Sequence, residues 1–172
     1  PLQAQGRFPD RPITLLVPFA PGGIADLTAR AVAEHMGRSL GQSVVVDNRP
    51  SAGSIVASQA VATARPDGHT LLLMSNGNAV SVGLIRKLPY DTQKAFAPIS
   101  TLGYFDLGLF VPAGSRFANL QDLVGFARAN PGKVSFASSG SGSAAHLTSE
   151  LLKTLTKTYM VHIPYRGASP AL

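Results

Sequence analysis

The chain has 172 residues, 45% of them hydrophobic and none of them cysteine, enough apolar surface for a buried core and no means of making disulfides, cysteine nucleophiles or thiolate metal sites. Lysine and arginine exceed aspartate and glutamate by 15 to 9, a net charge of +6. Arg7, Arg30, Arg49, Arg86, Arg116 and Arg166 are scattered along the chain without interleaved aromatic residues, so the charge points to small anions and away from nucleic acid.

Residues 1–6 are small, polar and aperiodic, as around a signal-peptidase cut, with Ala4 read as the last leader residue. The apolar run 13–19 reads as a buried parallel strand, and Pro18, Pro21 and the following glycines keep it short of a membrane span. The turn Ala20-Pro21-Gly22-Gly23-Ile24-Ala25-Asp26 then opens a predicted helix with Ile24, Leu27, Ala31 and His35 or Met36 on its inner face, ended by Gly41. A strand over 44–47, an alanine-rich helix over 54–64 and a strand over 70–74 follow, separated by the turns 48–53 and Arg65-Pro66-Asp67-Gly68. Alternating strands and helices predict a parallel sheet whose ligand crevice lies beyond the strands' carboxyl ends. Gly22-Gly23, 49–53 and Ser75-Asn76-Gly77-Asn78 fall on that rim, although each taken alone is no more than a well-built turn.

Residues 81–94 are predicted as a short helix and a loop, and 99–111, rich in Leu, Phe and Tyr, as an extended strand crossing between lobes. Asn119 caps a helix to about Ala129, closed by Asn130-Pro131-Gly132. A strand over 134–137 leads into a second glycine-rich turn, Ser138-Ser139-Gly140-Ser141-Gly142-Ser143-Ala144-Ala145-His146. A helix over 144–156, with Leu147, Leu151, Leu152 and Leu155 inward, and a strand over 160–163 complete the pattern. Strand, turn, helix and strand thus occur twice, which predicts lobes 7–103 and 104–172, the second stopping where its next helix is due, as in a fragment.

Each glycine-rich turn leaves the first N–H groups of its helix unpaired, where the positive end of the dipole favours a carboxylate or phosphate. Hydrolase chemistry does not fit, because Ser139, Ser141 and Ser143 lack the flanking glycines of a nucleophile elbow, and no acid is placed to orient His146, which is read as a packing residue under the turn. Gly140-x-Gly142-x-x-Ala145 matches the alanine-ended dinucleotide fingerprint, with Arg166 placed for a 2′-phosphate, so an NAD(P) site is the main rival, although its acidic residue is missing. A purely structural, non-binding role is the third reading. His35, His69, His146 and His162 lack metal-ligand spacing. Arg30, four residues after Asp26, suits a helical ion pair, and Asp26 beside an anion socket is expected to bond backbone N–H groups at its helix start.

Seven motifs in one order carry a family resemblance: Val17-Pro18-Phe19-Ala20-Pro21-Gly22-Gly23-x-x-Asp26-x-x-x-Arg30, Val46-x-Asn48-Arg49-Pro50, Pro66-Asp67-Gly68-x-Thr70-Leu71, Leu88-Pro89-Tyr90-Asp91, Ala129-Asn130-Pro131-Gly132-Lys133, Ser138-Ser139-Gly140-x-Gly142-Ser143 with His146-Leu147, and His162-x-Pro164-Tyr165-x-Gly167. From about residue 11 to 172 the chain resembles the Bug family, the periplasmic solute-binding proteins of tripartite tricarboxylate transporters. The resemblance implies an α/β, two-lobed, Venus-flytrap fold of the type II periplasmic-binding-protein kind, here truncated. It implies a periplasmic location, no catalysis and no cofactor. The implied partners are a small organic carboxylate (a di- or tricarboxylate, an acidic amino acid or an aromatic acid) and a membrane permease. Ligand binding would fall to Gly22, Gly23 and Asp26 in one lobe, facing Ser138, Ser139, Gly140, Ser141, Gly142 and Ser143 in the other, with Ser75 and Asn76 as further polar contacts. One departure stands in Asn48-Arg49-Pro50-Ser51-Ala52-Gly53-Ser54, where Ser51 and Ser54 replace glycines usual in the family and reshape the turn or add hydroxyls to the cleft.

Overall fold

The computed structural model describes residues 8–172; the leader-end reading at 1–6, Ala4 included, and Arg7 lie outside the described residues. Strands β1 (Ile13–Val17), β2 (Val44–Asn48) and β3 (Thr70–Leu72) form a parallel sheet in the order β2-β1-β3, with Ile13 opposite Val44 and Leu15 opposite Leu71. The apolar ITLLV run takes the central place because both its faces are covered, and Pro18, which has no N–H, ends its ladder. Helix α1 (Ile24–Leu40) packs on β1 and β2, and α2 (Ile55–Ala62) on β1 and β3. Leu15 and Val17 meet Ala29 of α1, while Leu16 points to the opposite face and is equally buried.

The inner face of α1 differs from the sequence expectation. Ile24, Leu27, Ala31 and His35 are exposed, Met36 is half-buried, and the buried residues are Asp26, Ala29 and Ala33. Small side chains take that face because the helix lies close to the chain beneath it: a Cβ at Gly37 would stand 3.2 Å from the Gln42 carbonyl oxygen. Gly41 ends the helix in the left-handed conformation, φ 69°, as its position predicts.

Helix α3 (Asn76–Leu84) begins five residues before the predicted 81, and Ser75-Asn76-Gly77-Asn78 is a helix start where the sequence reading has a rim turn. The reason is a capping box: Ser75 Oγ accepts the Gly77 N–H at 3.2 Å, and Asn78 Oδ1 accepts the Ser75 N–H at 3.0 Å. The expected crossing strand over 99–111 does not form; the segment is irregular and exposed, Tyr104 by 92%. A strand needs a neighbour for its ladder, and no described strand runs beside this one.

In the second unit, α4 (Leu120–Ala129) starts at the predicted cap, the Asn119 side chain accepting the Asp122 N–H at 2.9 Å. Strands β4 (Ser135–Ser138) and β5 (Val161–Pro164) pair in parallel, joined through α5 (Ala144–Thr156), which packs on β4. Leu147, Leu151 and Leu155 of α5 are exposed, contrary to the inward placement predicted, and Leu152 is half-buried. Among the described residues no element lies over that stripe, so helical periodicity alone assigns it to a core that is not built there.

Candidate functional site

The two glycine-rich turns are held in different ways. In the first, Asp26 is 2% exposed; its Oδ2 accepts the Gly22 N–H and Arg30 Nε, each at 2.9 Å, and its Oδ1 accepts Asn48 Nδ2 at 2.9 Å. The Arg30 hydrogen bond is the largest influence on its acidity and outweighs burial; with the Gly22 and Asn48 bonds it holds the carboxyl at about 2, well below the usual carboxylate range. The backbone bond expected of Asp26 is thus present, and so is the ion pair with Arg30.

The second turn sits at the open N-terminus of α5. Ser143 is the N-cap and its Oγ accepts the His146 N–H at 3.3 Å; the first turn of the helix carries no acidic residue. Ser138, 2% exposed, accepts the Gly140 N–H at 3.2 Å, and Gly142 N–H donates to His146 Nδ1 at 3.1 Å. Within the described residues the N–H groups of Ser139, Ser141, Ala144 and Ala145 make no hydrogen bond. Four donors thus remain available at the positive end of a 13-residue helix, which is chemistry suited to an oxyanion.

The serine turn faces the first unit. Phe19, Ser51, Gly53, Ser54 and Gly77 on one side and 139–143 on the other line a narrow cleft of about 20 Å³, room for about one water. Gly142 holds the left-handed φ of 79° that this turn needs, and its α-carbon faces Leu84 and Val80 of α3. A buried polar chain fixes the facing wall. Asn78 Nδ2 donates to Ser58 Oγ at 2.6 Å, and the Ser58 hydroxyl donates to the Ser54 carbonyl at 2.7 Å.

Of the residues read from sequence, Ser139, Gly140, Ser141, Gly142 and Ser143 line this cleft and Ser138 supports it from beneath. Gly22, Gly23 and Asp26 do not line it; Gly22 and Gly23 abut Ser169 and Ala168, and Ala20 N–H donates to the Arg166 carbonyl at 2.9 Å. Ser75 is a cap, and Asn76, exposed at the start of α3, yields its place in the lining to Gly77. Phe19, Ser51, Gly53, Ser54 and Gly77 are lining residues outside the candidate set; Ser51, Gly53 and Gly77 stand in turns that the sequence places on the rim, Ser51 and Ser54 are expected from sequence to reshape that turn or add hydroxyls to the cleft, and Phe19 carries no signal.

Comparison with known proteins gives the family and the fold. The model of the tripartite tricarboxylate transporter family receptor, TctC, matches residues 28–172. The chain belongs to this family. A Pseudomonas relative of the family receptors, the UPF0065 protein of the tcbD-tcbE intergenic region, is 46% identical over 165 residues, covering 96% of this chain and 49% of the relative. Protein BugT of Bordetella pertussis is 40% identical over 167 residues, with 96% and 51% covered. The chain therefore spans about half the length of the curated relatives it matches. Among solved structures, a periplasmic transporter superposes with a TM-score of 0.84 at 34% identity, covering 95% of this chain and 55% of the other. An R. palustris protein with adipate gives 0.82 at 30% identity, with 95% and 55% covered. MatC from Rhodopseudomonas palustris with bound malate gives 0.81 at 30% identity, with 95% and 56% covered. The fold of this receptor-family chain is that of periplasmic binding proteins.

Proposed function

We propose that the protein captures a small organic carboxylate reversibly in the periplasm and presents it to the membrane permease of a tripartite tricarboxylate-type transporter, without chemical change. The observation that carries the reading is the serine turn: four unpaired N–H groups and the hydroxyls of Ser139, Ser141 and Ser143 gathered at a helix N-terminus free of acidic residues. It is supported by the adipate and malate of two structural relatives.

In this reading Ser139 to Ser143 receive the carboxylate head, and Ser51 and Ser54 add hydroxyls from the facing wall. Gly22, Gly23, Asp26 and Ser75 form the frame, because the Asp26 carboxylate would repel an anion and its oxygens are already occupied. Lobe one is residues 7–103 and lobe two 104–172. A cleft of about 20 Å³ has no room for malate, so capture requires the two halves to part and close again. A dinucleotide reading is disfavoured, since the Gly140 and Gly142 N–H groups that would approach a pyrophosphate are already bonded within the turn.

Titration calorimetry of the protein with malate, adipate, aspartate, benzoate and NADP+ tests this. Saturable binding of at least one acid and none of NADP+ is expected. Binding of NADP+ with no acid bound overturns it.

A further inference from the structure

Two imidazoles lie stacked beneath the serine turn. The rings of His146, in α5, and His162, in β5, have centroids 3.9 Å apart at 14°, and Phe136 of β4 stacks on His162 at 5.0 Å. Each histidine holds one corner of the turn. His146 Nδ1 accepts the Gly142 N–H at 3.1 Å, and His162 Nε2 lies 2.7 Å from Ser138 Oγ, the same oxygen that accepts the Gly140 N–H. A backbone N–H donates only to a bare ring nitrogen, so this contact requires His146 Nδ1 without a proton and places the ring proton on Nε2, which faces Glu150 Oε1 at 3.8 Å.

We infer that His146 and His162 are positioning residues for the serine turn, which keeps its anion-receiving shape only while both rings are neutral; the functional half of this rests on the carboxylate reading above. A protonated His146 sets N–H against N–H at the Gly142 contact. The Ser138 hydroxyl already reaches the Gly140 carbonyl, 3.2 Å away, as well as His162 Nε2, and a protonated His162, donating to Ser138 Oγ, leaves that hydroxyl the carbonyl alone. Two cations cannot share a stack at 3.9 Å without strong repulsion, and a cation at a helix N-terminus opposes the dipole.

The surroundings are few. From α5 come Glu150 and Lys153, paired with each other at 2.7 Å; from β5 comes His162 itself; β4 brings only Phe136 and Ser138, neither of which titrates in this range. Burial, helped by His146 and Lys153 and opposed by Glu150, holds His162 below the ordinary imidazole range. By charge alone a protonated histidine would attract an anion. Glu150, 3.8 Å from His146 Nε2 but already paired with Lys153, takes up only part of that charge, whereas the donor clash falls inside the turn itself and decides the sign, so acidification weakens binding.

The test uses His146→Asn, whose Oδ1 replaces Nδ1 as a non-titrating acceptor, His162→Gln, whose Oε1 replaces Nε2, and His146→Leu, which has no acceptor. Ring 15N spectra of the ligand-free protein at pH 8 are expected to show the Nε2–H tautomer for His146 and Nδ1–H for His162. Solvent exchange of the Gly142 N–H, corrected for base catalysis, is expected to rise about fivefold from pH 8 to 5.5 in the wild type and not in His146→Asn. Malate and adipate affinities measured at both pH values are expected to fall about fivefold further in the wild type than in His146→Asn and in His162→Gln, which correct for the ligands' own protonation. His146→Leu binds weakly at both. The opposite tautomers, an unmoved Gly142 exchange rate, affinity that tightens on acidification, or equal affinity in His146→Leu and His146→Asn overturns the inference. If neither acid binds at pH 8, the carboxylate reading fails, and the tautomers and the exchange rate decide whether the histidines hold the turn.

Discussion

Asn48 donates through Nδ2 to Asp26 Oδ1 at 2.9 Å and to the Phe19 carbonyl at 3.0 Å, so the last residue of β2 ties the start of α1 to the end of β1. The frame of the first turn is therefore a polar knot around one buried carboxylate. Asp26→Asn replaces one of its acceptor oxygens by a donor among the Gly22, Arg30 and Asn48 donors. A loss of about 2 kcal/mol in urea unfolding at pH 7 is expected, from an unmet buried donor and a weakened ion pair. An unchanged midpoint together with tighter carboxylate binding would show that Asp26 acts by repulsion and not as frame.

Acid should act through the same group. Its carboxyl sits at about 2 when folded against 3.8 ordinarily, so its contribution is full above 3.8 and is lost as pH falls toward 2. The size is about 1–2 kcal/mol, allowing for solvent around the half-exposed Arg30. Unfolding midpoints at pH 5 and pH 2.5 check this, and the drop should be smaller in Asp26→Asn.

His162 gives a second, milder slope. Its folded pKa is depressed from 6.5, so the folded state binds fewer protons than the unfolded one, and stability falls as pH drops below about 6.5. His162→Gln is expected to flatten the pH dependence of the melting temperature between 7.5 and 5.5.

Local signals were legible where a single side chain decides the outcome. Asn119 as cap, Gly41 as stop and the Gly22-Gly23 turn before α1 all stand where residue chemistry puts them. The start of α3 was legible in principle, since Ser75 and Asn78 have capping-box spacing, but Asn is not the usual third residue of that box. Faces were harder. Ile24 and Leu27 are exposed because the face that α1 turns inward carries Asp26, Ala29 and Ala33 instead, small or polar residues that apolar periodicity does not pick out. The cleft wall at Ser51, Gly53, Ser54 and Gly77 depends on the buried Asn78–Ser58–Ser54 chain, a contact across three elements that spacing does not reveal.

Gly167 marks the seam between the units. Its φ is 153°, and a Cβ there would stand 3.3 Å from both Ala20 N and Ala20 Cβ, beside the Ala20 N–H to Arg166 carbonyl bond. Gly167→Ala is expected to cost about 1–2 kcal/mol and to raise solvent exchange of the Ala20 N–H. Unchanged exchange would mean that the seam yields without strain.

The serine turn as the carboxylate receptor is tested most directly by backbone 15N spectra during titration with malate and adipate at pH 8. Saturable shifts centred on the N–H groups of Ser139, Ser141, Ala144 and Ala145, with smaller shifts at Ser51, Gly53 and Ser54, are the expected result. Saturable binding that leaves those four groups unmoved and shifts residues elsewhere would contradict it.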